Sequence, residues 1–247
     1  MRWRGKRGML RDEPSGFQII RQALSERTTV DSKSATLIFD LDGTLTDPRL
    51  GIVRSINHAL GIHGLPLVSD ELIVAEIGPP LDETFGKFVP PGSVGVIDSL
   101  VAAYRERYAS VGFSENAVYP EIPEAVAELA DSGWRLGVCT SKRRDFAEKI
   151  LSLFGLLEHF AFVDGGDIGI TKDAQLARLL SGEVIREDAV MIGDRGVDIS
   201  AARNIGLVSI AVLWGFGGAE EIAAAKPTHT AATVDGLLQI FRSNVFA

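Results

Sequence analysis

The chain has 247 residues, nearly half of them hydrophobic, which suits one large domain or a domain carrying an insertion. Its single cysteine, Cys139, excludes an internal disulfide framework and suits a reducing, cytoplasmic setting, and no stretch approaches the ~20 uninterrupted apolar residues of a membrane helix. A net charge of −8 argues against general nucleic-acid binding, which calls for a basic surface.

That average hides an asymmetry. Residues 1–33 hold eight Lys/Arg against four acids, so this segment is +4 and the remainder −12. It has no apolar core of the kind a secretory signal needs. The expectation is a basic, poorly ordered N-terminal extension; the alternative is a short docked helix with Phe17, Ile19, Ile20 and Leu24 on one face.

Ala35 to Phe39 is a bounded apolar run that reads as a fully buried strand. It runs into Asp40-Leu41-Asp42-Gly43-Thr44-Leu45-Thr46-Asp47, where Gly43 breaks the strand because glycine enters left-handed backbone space without steric cost. Asp40 and Asp42 are thereby expected at the carboxyl end of a central strand, the edge where open α/β sheets bind ligands. Two carboxylates so close repel unless a cation lies between them or one keeps its proton. Taken alone, the stretch is either a polar turn or an active site. An EF-hand fits poorly, since its loop wants glycine sixth and glutamate twelfth, whereas Gly43 is fourth and the twelfth residue is Gly51.

From Asp47-Pro48 the pattern is helical for about seventy residues. Ile52, Val53, Ile56, Ala59, Leu60 and Ile62 make one apolar face; short helices follow from Ser69 to Ile77 and from Leu81 to Phe88, and a longer one from Ser93 to about Ser110. The Gly78-Pro79-Pro80 turn between the short helices either projects into the site or simply joins them rigidly. A wholly helical block at this point looks like an inserted cap, able to close over the carboxylates and select the substrate.

The α/β pattern resumes with a helix from Glu121 to Asp131 and a strand from Trp134 to Cys139, ending in Thr140-Ser141-Lys142. A hydroxyl and the amides after it at a strand–helix junction suit an anion such as phosphate; an ordinary cap for the helix Arg143 to Phe154 is the other reading. Ala161 to Val163 is a short strand, followed by a glycine-rich loop and by Thr171-Lys172 at the start of the next helix. A lysine there is mildly unfavourable in the helix dipole, so a further duty or a plain surface position both remain open. The strand Ala189 to Ile192 delivers Gly193-Asp194-Arg195-Gly196-Val197-Asp198, with Asp198 one helical turn after Asp194. A strand from Val208 to Leu213, a helix from Ala219 to Ala225, and a last strand and helix complete the chain.

Successive strand ends thus carry Asp40/Asp42, Thr140, Lys172 and Asp194/Asp198. This constellation resembles the haloacid dehalogenase superfamily, specifically its phosphatases. The family pattern D-x-D-G-T-[LV]-x-D matches residues 40–47 without exception, its hydroxyl motif Thr140, its lysine motif Lys172, and its G-D-x-x-x-D motif residues 193–198. The glycine-rich lead into Lys172 is a departure, as is the basic extension.

The resemblance implies an α/β fold: a Rossmann-like, doubly wound, mostly parallel sheet formed by residues 34–47 and 119–247, with an α-helical cap at 48–118. It further implies a Mg²⁺-dependent phosphatase of the phosphoglycolate phosphatase type, hydrolysing a small phosphomonoester through an aspartyl-phosphate. A 5′-nucleotidase, a pyrophosphatase and a phosphomutase share the same core, and a non-catalytic binder of phosphate compounds is the reading from another class. Asp40 is implied as nucleophile and Asp42 as general acid and base. Thr140 and Lys172, with Gly43 and Ser141, would hold the phosphoryl group. Asp40, the Asp42 carbonyl and Asp194 would hold the metal, and Asp198 would orient Lys172 or a metal-bound water from behind. The implied partner is a small phosphorylated metabolite, with no nucleic acid and no membrane, the protein being a monomer or homodimer.

Overall fold

The computed structural model describes residues 35–90, 94–166 and 169–243; the basic extension and its Phe17–Leu24 face lie outside them. The first strand, β1 (Thr36–Phe39), is buried along its whole length. Leu37 and Phe39 pack into one apolar cluster and Ile38 into another, as the two-residue period of a strand requires. A strand buried on both faces belongs at the centre of a parallel sheet.

After it come the two-residue strand β2 (Thr46–Asp47) and four helices, α1 (Arg49–Ile62), α2 (Asp70–Val74), α3 (Leu81–Phe88) and α4 (Val94–Ser110). A 3₁₀ turn then leads to β3 (Ala117–Val118), which pairs antiparallel with β2, Thr46 opposite Val118 and Asp47 opposite Ala117. This ladder has no sequence-level signal, because two residues are too few to show a period. The helices share an apolar cluster of their own, with Ile56, Leu60, Phe85, Leu100 and Tyr108 among its buried members and Phe146 reaching in from below.

The remainder alternates: α5 (Ile122–Asp131), β4 (Arg135–Thr140), α6 (Arg144–Leu153), β5 (Phe160–Gly165), α7 (Lys172–Ser181), β6 (Val190–Gly193), α8 (Gly196–Asn204), β7 (Val208–Val212), α9 (Ala219–Ala225), β8 (His229–Ala231) and α10 (Val234–Arg242). Strand order is β5-β4-β1-β6-β7-β8, and every pairing in this sheet is parallel. One face is covered by Val126 of α5, Ile150 of α6 and Leu237 of α10; the other by Leu176 of α7 and Ala202 of α8. The fold is thus a doubly wound α/β core with an inserted helical cap. The chain turns to opposite sides of β1 to lay down β4 and β6, and that reversal opens a crevice at their carboxyl ends. β5 runs further than Ala161–Val163, because Asp164 and Gly165 continue the pairing opposite Cys139 and Thr140. No described helix is long and apolar enough to cross a membrane.

Candidate active site

The first carboxylate loop is built from the backbone outward. Asp40 N donates to Ile192 O at 2.8 Å, extending the sheet to the edge of the crevice, and the amides of Leu45 and Thr46 fold back onto Leu41 O at 2.9 and 3.0 Å. Gly43 has φ +88°, and a Cβ there would lie 2.2 Å from Asp194 Oδ2. Both conformation and space therefore demand glycine.

Lys172, the first residue of α7, has its helix start capped by Thr171, whose hydroxyl accepts from Ala174 N at 3.3 Å. Its own side chain turns inward. Nζ donates to Asp40 Oδ1 at 2.9 Å and to Cys139 O at 2.7 Å, and pairs with Asp198 Oδ1 at 2.9 Å. Burial works against the ammonium, but Asp198 and Asp40 more than offset it and hold the lysine charged. Asp198 Oδ2 accepts from Arg195 N at 3.1 Å. Asp198 therefore sits behind the lysine and fixes it against Asp40.

Asp194 is fully buried; Oδ1 accepts from the Thr44 hydroxyl at 3.2 Å and Oδ2 from Phe216 N at 2.7 Å. Burial, then the Asp40 and Asp198 carboxylates, push its pKa up to about 8. Asp40, Asp194 and Asp198 each offer an oxygen within 4.8 Å of the others. Three buried carboxylates with one lysine among them are short of positive charge, and a set of hard oxygen donors matches a divalent cation of the magnesium class. The donor set fits such an ion.

Asp42 lines the same cavity as Asp40. Burial raises its pKa, against the pull of Lys142, whose Nζ lies 2.7 Å from Asp42 Oδ2. Oδ1 of Asp42 is buried and has no hydrogen-bond partner. Thr140 is buried, and its hydroxyl accepts from Lys142 N at 3.2 Å, so it does cap the turn before α6; it also lines the cavity, as does the exposed Ser141. The roof is cap: Ile52, Ile56, Pro79, Leu81 and Tyr104 line it, and the Gly78-Pro79-Pro80 turn projects into it. Arg54 and Lys87 pair with Glu115 and Glu76 on the helical block.

The sequence profile of haloacid dehalogenase-like hydrolases matches residues 37–212, a span holding every member of the carboxylate cluster. The chain belongs to that family. A 5′-nucleotidase of Pseudomonas aeruginosa is 37% identical over 212 residues, covering 84% of this chain and 96% of that protein. A phosphoglycolate phosphatase of Yersinia pseudotuberculosis is 30% identical over 208 residues, covering 81% and 90%. Among solved structures, protein tyrosine kinase A of Mycobacterium tuberculosis is 34% identical with a TM-score of 0.73, covering 85% of this chain and 98% of that one. The chain is a haloacid dehalogenase-like hydrolase of the phosphatase kind, on the phosphoglycolate phosphatase-like side of the family.

Within this haloacid dehalogenase-like site, three residues escaped the sequence reading. Lys142 was visible only as the third member of Thr-Ser-Lys, and its partner Asp42 is 100 positions away. Arg195, between the two acids of the last motif, pairs with Glu221 at 2.9 Å and donates to Ile77 O, gripping the cap beside Gly78. Tyr108 was legible as an inward residue of α4 but not as a partner of Lys142. The glycine-rich lead into α7 also has a local cause. Gly166 N donates to Thr140 O at 2.8 Å and to Lys142 O at 3.0 Å, and a Cβ on Gly166 would lie 2.8 Å from Ser141 O. Gly166→Ala is therefore expected to shift the Thr140–Lys142 loop and raise KM roughly tenfold or more, an effect of about 1.4 kcal/mol, with the melting temperature little changed. Steady-state kinetics beside a thermal melt checks this.

Proposed function

We propose that this protein is a Mg²⁺-dependent phosphatase that hydrolyses a small phosphomonoester through an aspartyl-phosphate. The observation that carries the reading is the pairing of Asp40 with Lys172 at 2.9 Å, with Asp42 beside it and an oxygen of Asp42 left without a partner. Asp40 attacks phosphorus, and the bond to the leaving oxygen breaks as Asp42 gives that oxygen its proton. Water then attacks the phosphorus of the aspartyl-phosphate, Asp42 takes the water's proton, and phosphate leaves with Asp40 restored. Lys172 and Thr140, with Gly43 and Ser141 beside them, hold the phosphoryl oxygens where negative charge is densest.

Asp40, the Asp42 carbonyl and Asp194 would hold the magnesium, with Asp198 behind them. When bound, the ion supplies charge neutralisation that lets a carboxylate approach a phosphate. Residues 48–118 act as the cap, excluding water from the crevice and selecting the leaving group.

Phosphoglycolate is the first candidate substrate, from the family side on which the chain stands. A nucleoside 5′-monophosphate is the second. It is favoured by the apolar roof of Ile52, Ile56, Leu81 and Tyr104 and by the 37% identical nucleotidase. Phosphate release across a panel containing phosphoglycolate, nucleoside monophosphates, sugar phosphates, pyrophosphate and a phosphotyrosine peptide separates these. Metal-dependent turnover of one ester class supports the reading. A folded protein that binds the metal and releases phosphate from none of them overturns it. Transfer of phosphate from ATP to a tyrosine peptide would redirect the assignment toward the kinase relative.

A further inference from the structure

Lys142 is the second buried lysine of the site, and nothing in the reaction as written uses it. Its side chain is 8% exposed, a costly place for an ammonium unless its partners are good. Nζ lies 2.7 Å from Asp42 Oδ2 and donates to the Tyr108 hydroxyl at 3.0 Å, and it stands 4.7 Å from the centroid of the Tyr108 ring. Tyr108 is itself fixed: it stacks on Tyr104 with centroids 5.3 Å apart and planes 11° apart, and meets the edge of Phe146 at 5.3 Å. The two tyrosines come from α4 of the cap, whereas Lys142 and Asp42 come from the core.

The two oxygens of Asp42 are thus treated differently. Oδ2 is tied to Lys142, while Oδ1 is buried without a partner, in a carboxyl group that borders the cavity. A carboxyl free to rotate would present either oxygen, at varying angles, to the leaving group. One with an oxygen clamped keeps a single orientation, and orientation of this kind is a large part of what a positioned acid contributes.

We propose that Lys142 and Tyr108 are positioning residues for Asp42: Lys142 holds its carboxyl in one orientation toward the leaving group, and Tyr108 completes that hold from the cap. This rests on Asp42 being the acid of the proposed phosphatase reaction.

The test uses two esters that differ in their need for a proton. The nitrophenolate released from p-nitrophenyl phosphate departs without one; an alkoxide does not. For each ester kcat/KM reports the steps through formation of the aspartyl-phosphate, and so isolates proton donation from the later activation of water. Lys142→Met is expected to lower kcat/KM for the best alkyl ester about 100-fold, and that for p-nitrophenyl phosphate less than about 5-fold. Tyr108→Phe, which keeps the aromatic stack and removes only the hydroxyl, is expected to show the same ester selectivity at roughly 5- to 10-fold. Equal losses on both esters, or none on either, overturn the proposal; if Lys142→Met does not fold, Tyr108→Phe decides by the same criterion. Asp42→Asn is run beside them. If it splits the esters and the two positioning variants do not, only the present inference fails. If it too slows both esters equally, Asp42 is not the acid and the underlying reading fails.

Discussion

Asp40→Asn is expected to abolish phosphate release, lowering turnover by on the order of 10⁴- to 10⁶-fold, the range seen when a covalent nucleophile is removed. The amide matches the carboxylate in size, so the loop that Leu41 O organises stays as it is. Lys172 also keeps two of its partners, Asp198 at 2.9 Å and Cys139 O at 2.7 Å, and the fold does not depend on the lost charge. What disappears is the anionic carboxylate that bonds to phosphorus in the proposed reaction. Phosphate release and a thermal melt, run on the same preparation, check both halves of this expectation. More than about 1% residual turnover, against the drop of at least 10⁴ expected for a lost nucleophile, would require another nucleophile and sink the aspartyl-phosphate.

The second large effect concerns the metal. Chelation is expected to bring turnover to background, and re-addition of Mg²⁺ to restore it. The same ion should also stabilise the fold, because Asp194 and its two carboxylate neighbours are crowded together in the core with a single lysine among them. At a concentration about 100 times its dissociation constant, a ligand of the folded state adds about 2.7 kcal/mol, which for a chain of this size is a rise in melting temperature of roughly 5–10 °C. Asp194→Asn removes one donor and should shrink that rise to a degree or two, where about 0.5 kcal/mol is left. Turnover that survives exhaustive chelation, or a melt that ignores the ion in the wild type, would rule out the metal reading.

Much of this site was legible because its parts obey local rules. The apolar run Thr36–Phe39 announces a buried strand, and the Asp-x-Asp-Gly after it announces the strand's carboxyl end. Asp194 follows from the same logic on Val190–Gly193. Even the helices of the insert, α3 above all, fall where apolar spacing and proline place them. The rest required distances that no local pattern encodes. Lys172 could be a surface residue until Nζ is seen against Asp40, 132 positions away. Lys142 sits in a run that reads equally well as a helix start, and only the cap's Tyr108 shows why it is buried. Strand order is of the same kind: alternation predicts a doubly wound sheet, but that β1 lies between β4 and β6 is a fact of assembly.

The small ladder of β2 and β3 has a consequence for how the molecule is put together. Because Thr46 faces Val118 and Asp47 faces Ala117, the insert leaves and re-enters the core at a single point. To the sheet, everything between those strands is one closed loop. Closing a loop becomes harder only as the logarithm of its length, by about 0.6 kcal/mol for each doubling. The helical block can therefore be lengthened, trimmed or exchanged for another at little cost to the sheet that carries Asp40; in the proposed reaction a new roof would bring a new leaving group to unchanged chemistry.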